Sequence, residues 1–205
     1  MADDIILHDG DLPPGAITAD SVAVDTETMG LSLTRDRLCL VQVSAGDGLC
    51  HLVRVKADTP APTLTALMAD PAVTKIFHYA RFDVAVMLAR FGVAAAPVYC
   101  TKIASRLTRT NTDAHGLRAL CKDLLGVEIS KQMQSSDWAA ETLSAEQMDY
   151  AANDVRYLHR LRDELDRLLI REGRRDLAQA CFAFVPDRAR LDVAGWADED
   201  IFAHA

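Results

Sequence analysis

From Ser144 to about Arg171 the chain carries one helical pattern that dominates the second half. Met148, Ala151, Val155, Leu158, Leu161, Leu165 and Leu168 recur at steps of three and four residues, which places them on one face of a helix. Ser144 followed by Gln147 predicts a capping box at its start. A stripe of that length must be covered by something apolar, and the first half supplies it. Ser21 to Val24, Leu38 to Val43, Leu49 to Val53 and Thr74 to Phe77 are short apolar runs, read as strands. The middle two are joined by a turn at Gly46-Asp47-Gly48. Helices are expected from Pro62 or Thr63 to Met68, and over Ala80 to Phe91 with a stop at Gly92. Further helical periodicity covers Thr101 to Leu107, Gly116 to Leu125 and about Arg174 to Phe184, with a tail after Pro186. Strands alternating with helices, then helices alone, predict an α/β fold with a mixed sheet and helices packed on it. No linker divides residues 1–205, so one domain is expected.

Composition narrows the function. Half of the 205 residues are hydrophobic and a quarter are charged, a globular balance. The acidic start, MADDIILHDGDLPPG, is no secretory signal, and no apolar run is long enough to cross a membrane; a cytoplasmic protein is expected. Cys39, Cys50, Cys100, Cys121 and Cys181 are scattered and lack C-x-x-C spacing, so they read as small core side chains in a reducing compartment. The net charge of −8 argues against a tight grip on long nucleic acid, which calls for a basic stripe. It is compatible with a short substrate in a small pocket and with bound divalent cations.

Three segments carry chemistry. In Val22-Ala23-Val24-Asp25-Thr26-Glu27, side chains two apart on an extended chain share a face, so Asp25 and Glu27 project together. Like charges that close repel unless a cation lies between them. D-x-E alone is a weak signal, equally a solvated strand end. Asp83 sits in an otherwise apolar helix, and a buried carboxylate needs a partner. An ion pair to Arg81 or another arginine and a metal serve equally well. Tyr150 and Asp154 lie one turn apart on the long helix, where a core-margin tyrosine and a surface pair are the ordinary reading. Taken together, the set offers what two-metal phosphoryl chemistry requires: several carboxylates from separate elements and a group to position water.

This order of motifs resembles the DEDDy 3′–5′ exonuclease superfamily, which includes ribonuclease D and polymerase proofreading domains. Ser135-Ser136-Asp137-Trp138 ahead of Leu143-Ser144 is similar to a ribonuclease D segment, and the resemblance covers roughly residues 20–170. AVDTETMGL, RDRLCLVQ, CTKIASRLTRT, SKQMQSSDWAAETLS and GWADEDIFAHA resemble the nano-RNase C proteins of alphaproteobacteria more closely. The resemblance implies a ribonuclease H-like, DnaQ-like exonuclease fold and a closed homo-oligomer, an octamer, acting on short single-stranded RNA. Diribonucleotides would be cut above all, to mononucleotides; general trimming of RNA or DNA ends, as by ribonuclease D, is the alternative. An inactive nucleic-acid-binding scaffold would lack a carboxylate, and none is missing.

The same resemblance implies roles. Two cations, Mg2+ or Mn2+, would be held by Asp25, Glu27, Asp83 and Asp154, with Tyr150 on the attacking water. Leu31, after Gly30, resembles an apolar wedge between the last two bases. Thr26, Met29, Gly30, His78 and Phe82 are candidate substrate contacts. Superfamily members often carry Asn four positions before the third carboxylate, where this chain has Tyr79. Lys102, Arg106, Arg109, His115 and Arg118 concentrate positive charge and could hold a 5′ phosphate or simply be solvated; Arg106 and Arg109 are the named candidates. Trp138 is expected to pack, and Trp196, Ile201 and Phe202 to reach a subunit interface.

Overall fold

The computed structural model describes residues 4–130, 133 and 136–204. Ser135 of the tryptophan-containing segment, with Lys131, Gln132 and Gln134 before it, lies outside the described residues. The strands are β1 (Ile5–Asp9), β2 (Ser21–Thr28), β3 (Leu38–Ser44), β4 (Cys50–Arg54), β5 (Thr74–Phe77) and β6 (Val98–Cys100). They form one mixed sheet in the order β1-β4-β3-β2-β5-β6. β2, β3 and β4 are an antiparallel meander; β1 adds parallel to β4, and β5 and β6 add parallel on the side of β2. The helices are α1 (Pro62–Ala69), α2 (Ala80–Phe91), α3 (Thr101–Thr108), α4 (Leu117–Leu125), α5 (Ala145–Arg156), α6 (Leu158–Arg171) and α7 (Arg175–Leu191).

The expected mixed sheet with flanking helices is the observed architecture. β2 and β3 are buried along most of their length, as central strands covered on both faces must be. The predicted turn between β3 and β4 depends on Gly46: its φ is +82°, and a Cβ there would lie 3.0 Å from the His159 ring. No described helix is long and apolar enough to cross a membrane. Cys39, Cys50, Cys100 and Cys121 are buried, Cys181 is half-buried, and all five are free thiols.

Three expectations need correction. The helix expected over 144–171 is two, because Tyr157 (φ −107°, ψ −3°) leaves helical geometry between α5 and α6. The break lets α5 cross the sheet over β1 to β4 while α6 packs on α3, α4, α7 and β5. No proline or glycine marks it; two packing surfaces impose it. The tail expected from Pro186 is helix as far as Leu191. Proline inside a helix costs about 3 kcal/mol, and burial of Phe182, Val185, Pro186 and Ala189 on one face offsets it. The unexpected strands, β1 and β6, are the two edges of the sheet, five and three residues long.

Lys75 was also not foreseen. It is fully buried on β5, and its ammonium donates to the carbonyls of Asp70 (2.7 Å), Val73 (2.7 Å) and Ala96 (2.5 Å). Three donors meet three acceptors, and the side chain locks the loops at that end of the sheet.

Candidate active site

β2 continues past its apolar run through Asp25 and Glu27, which share a face of the sheet. The capping box is present, with Ser144 Oγ accepting from the Gln147 amide, and it fixes the start of α5. α5 lies over β2 and carries Tyr150 and Asp154 to the same place. One carboxylate oxygen each from Asp25, Glu27 and Asp154 lies within 4.8 Å of the others. Asp83 comes from the first turn of α2 and is buried; Thr26 Oγ1 donates to its Oδ1 at 2.6 Å. Thr26 therefore supports Asp83 from the strand that carries the other two carboxylates. Arg81, the ion-pair partner open to Asp83 from sequence, is engaged with Asp192 instead.

Crowding acids in this way has an electrostatic cost. Burial, then the charges of Asp83, Asp154 and Glu27, hold the Asp25 carboxyl well above the usual carboxylate range. Burial, then Asp154 and Asp83, push Glu27 up to about 9. Asp83 and Asp154 are each raised to about 7, chiefly by burial, against hydrogen bonds from Thr26 and Tyr150 respectively. None of the four forms an ion pair with a basic side chain among the described residues. An all-oxygen set of mutually repelling carboxylates suits Mg2+ or Mn2+, and these residues fit such ions. Tyr150 bonds to Asp154, and burial with the surrounding acids raises its phenol far above the ordinary value, so it keeps its proton.

Asp25, Glu27 and Asp154, with Tyr150, line a cleft of about 700 Å³. Lys102, Arg118 and Lys122 line it as well, the Lys122 ammonium bonded to Glu128 at 3.1 Å. His78 also lines it, and the tautomer follows from its neighbours. Thr101 Oγ1 gives its proton to the Phe77 carbonyl (3.2 Å), so it accepts from His78 Nδ1 (2.9 Å). Burial, then Lys102, lower His78 to about 3, so the ring is neutral and Nε2 is an acceptor. Tyr79 opens α2 with φ +68°, the left-handed region that few side chains adopt, and Lys102 Nζ sits 4.4 Å from its ring centre.

The remaining sequence candidates fall into two groups. Leu31 is 83% exposed and Met29 is 60% exposed, which excludes an ordinary core leucine at the wedge position. Leu31 lines a second cavity with Tyr79 and Phe82, beside the cleft that Tyr79 also lines. Gly30 approaches Asp36 so closely that a Cβ would lie 2.3 Å from its carboxylate. Arg106 is exposed and outside the cleft lining. Arg109 is tied to Asp123 and the Ala114 carbonyl, and His115 to Ser105. Of the basic cluster, Lys102 and Arg118 reach the cleft, joined by Lys122, which the sequence reading did not single out. Trp138 is buried with Leu40, Leu52, Leu143 and Ala151, as packing requires.

The 3′–5′ exonuclease family model matches residues 14–170. The chain belongs to the 3′–5′ exonuclease family. Within it, ribonuclease D of Acidiphilium cryptum is 36% identical over 168 residues, 82% of this chain and 43% of that protein. This exonuclease thus spans about two fifths of the length of that relative. Brucella melitensis NrnC is 54% identical, with a TM-score of 0.96 over 99% of this chain and 100% of that one. The same Brucella protein with bound Mg2+ is 53% identical (TM-score 0.94), and bound to pGG it is 54% identical (TM-score 0.95); each covers 98% of this chain. The likeness runs through the C-terminal segment that the family model leaves out.

Proposed function

We propose that this protein is a divalent-cation-dependent 3′–5′ exoribonuclease that hydrolyses short oligoribonucleotides, diribonucleotides above all, to nucleoside 5′-monophosphates. The observation that carries the reading is the convergence of Asp25, Glu27 and Asp154 within 4.8 Å, with Asp83 beside them and Tyr150 bonded to Asp154. The Brucella neighbour bound to pGG supports the choice of short RNA. A 700 Å³ cleft also falls in the range of roughly 300–1,000 Å³ common for compact ligands.

Asp25, Glu27 and Asp154 would hold one cation, Asp25 would share the second, and Asp83 would act through that ion or its waters. Two such ions, Mg2+ or Mn2+, supply an acidified water and stabilise charge on the phosphate. Tyr150, whose hydroxyl bonds Asp154, would orient the attacking water. Leu31 stands out from its loop to separate two bases, with Met29 beside it. Lys102 and Arg118, which line the same cleft, take the far phosphate, and His78 Nε2 accepts from a sugar hydroxyl.

We read the assembly as a closed homo-oligomer, an octamer as the nano-RNase C resemblance implies, with the exposed Trp196, Ile201 and Phe202 at its interface, and the location as cytoplasmic, on the five free thiols. Cleavage rates on 5′-labelled RNAs of graded length, with Mg2+ and then Mn2+, test the activity. Turnover highest on two-nucleotide RNA is expected. Faster cutting of long RNA would favour the second reading, trimming of ends, for which the ribonuclease D likeness speaks.

A further inference from the structure

Gln42 sits in the middle of β3 and is fully buried, yet neither its amide oxygen nor its amide nitrogen has a partner among the described residues. Buried amides are almost always hydrogen-bonded, so both orphaned atoms call for a partner that the described residues do not supply. The residue lies in the RDRLCLVQ segment, to which the functional reading assigns no role.

Strand register places it. β2 and β3 are antiparallel, and Gln42 is the direct partner of Asp25. Residues so opposed project to the same face, with Cβ atoms about 4.5–5.5 Å apart. On its other side Gln42 is paired with Leu52, and Leu52 packs with Ala151 of α5. The Gln42 side chain is therefore enclosed between the sheet and the helix that brings Tyr150 and Asp154, beside the Asp25 carboxylate.

We propose that Gln42 is a positioning residue for the cation-holding carboxylates, donating an amide N–H to Asp25 when a cation is bound. This rests on the cation-dependent reading above. The chemistry favours an amide at this position. An ionised carboxylate only accepts, and a neutral donor can orient it without cancelling the charge that the cation needs. Lysine or arginine would compete with the ion instead. A ligand's outer partner of this kind commonly changes metal affinity by about 10–100-fold.

The test is Gln42→Met, which keeps the length and removes the amide. Two quantities are read on the full chain stripped of metal: the Kd for Mg2+ and Mn2+ by calorimetry, and the melting temperature without cation. The expected result is a Kd weakened about 10–100-fold, with a cation-free melting temperature equal to or above wild type, because the orphaned amide is gone. Wild-type affinity in the variant overturns the proposal. So does weakened affinity with a lower-melting cation-free protein, since a loosened sheet would account for both. If Gln42→Met does not fold, Gln42→Leu is judged by the same outcomes. A wild-type chain that binds no divalent cation, or binds it as tightly after Asp25→Asn, sinks the functional reading. Wild-type binding lost in Asp25→Asn but kept in Gln42→Met sinks the role of Gln42 alone.

Discussion

Arg81 and Asp192 meet across 111 positions of sequence in a two-pronged ion pair, Nε to Oδ2 at 2.7 Å and a terminal nitrogen to Oδ1 at 2.8 Å. Arg188 reaches the same carboxylate at 2.9 Å. Arg81 belongs to the first turn of α2, two residues before Asp83, and Asp192 follows α7. The segment after α7 is thereby fastened to the helix that carries Asp83 of the candidate site.

Removing Asp192 leaves two guanidinium groups without their shared acceptor. Asp192→Ala is expected to cost roughly 2–4 kcal/mol, below the full cost of breaking a buried pair because the Arg81 side chain is 35% exposed. Urea unfolding measures it. A loss under about 1 kcal/mol would rank the pair with ordinary surface bridges.

Asp25→Asn should reduce cleavage to background while leaving the fold intact. Repulsion from Glu27, Asp83 and Asp154 falls when one charge is deleted, so the cation-free variant should melt at or above the wild-type temperature. Near wild-type turnover in the purified variant would remove Asp25 from the metal site.

The same repulsion sets a pH dependence. Folded-state values of about 9 for Glu27 and about 7 for Asp83 and Asp154 exceed the ordinary unfolded values near 4. Groups raised on folding stabilise below their unfolded values, and that contribution is lost as pH rises through the folded ones. Chelator-treated protein should therefore melt highest in mild acid and lower as pH climbs from about 5 to 9. Saturating Mg2+ should flatten or reverse the trend. A cation-free melting curve indifferent to pH across that window would contradict the clustered carboxylates.

The central strands and the chemistry were legible because each leaves a local mark. Asp25 and Glu27 alternate on a strand, Tyr150 and Asp154 are one turn apart, and Ser144 with Gln147 spells a cap. The break at Tyr157 and the passage of α7 through Pro186 were not legible, since both are decided by what the helix packs against. Lys75 and Gln42 escaped for a related reason. A lysine or glutamine in a strand reads as a surface residue until loop carbonyls or a cross-strand carboxylate are brought to it. Lys122 escaped too, as only the tertiary fold brings it to the lining of the cleft that holds the acids.

Tyr150→Phe separates positioning from cation binding. The hydroxyl bonds Asp154 and lies beside Glu27 and Asp25, while the ring packs against Trp138 at 6.0 Å. Phenylalanine keeps the packing and loses only the hydroxyl. Turnover should fall about 10²–10⁴-fold, with the Kd for Mg2+ within a few-fold of wild type. An unchanged rate at saturating cation would take Tyr150 out of the mechanism.

Assembly is the remaining prediction. Ile201 and Phe202 are 46% and 77% exposed, and Trp196 is 45% exposed. The segment is nevertheless held: the Trp196 and Ala197 carbonyls accept from Arg188, and the Phe202 ring lies 5.9 Å from that of Phe184. Large apolar side chains fixed in water are unfavourable, and burying each would stabilise by roughly 1.5–3 kcal/mol. A closed ring of copies would supply that burial and would let neighbours wall off the cleft against long RNA. The double variant Ile201→Asp, Phe202→Asp should dissociate toward smaller species in light scattering at micromolar concentration while keeping its far-ultraviolet spectrum. Its preference for two-nucleotide RNA over longer RNA should weaken in parallel. Wild-type protein that is monomeric at that concentration would sink the ring; a variant of unaltered mass would sink only the part played by these two residues.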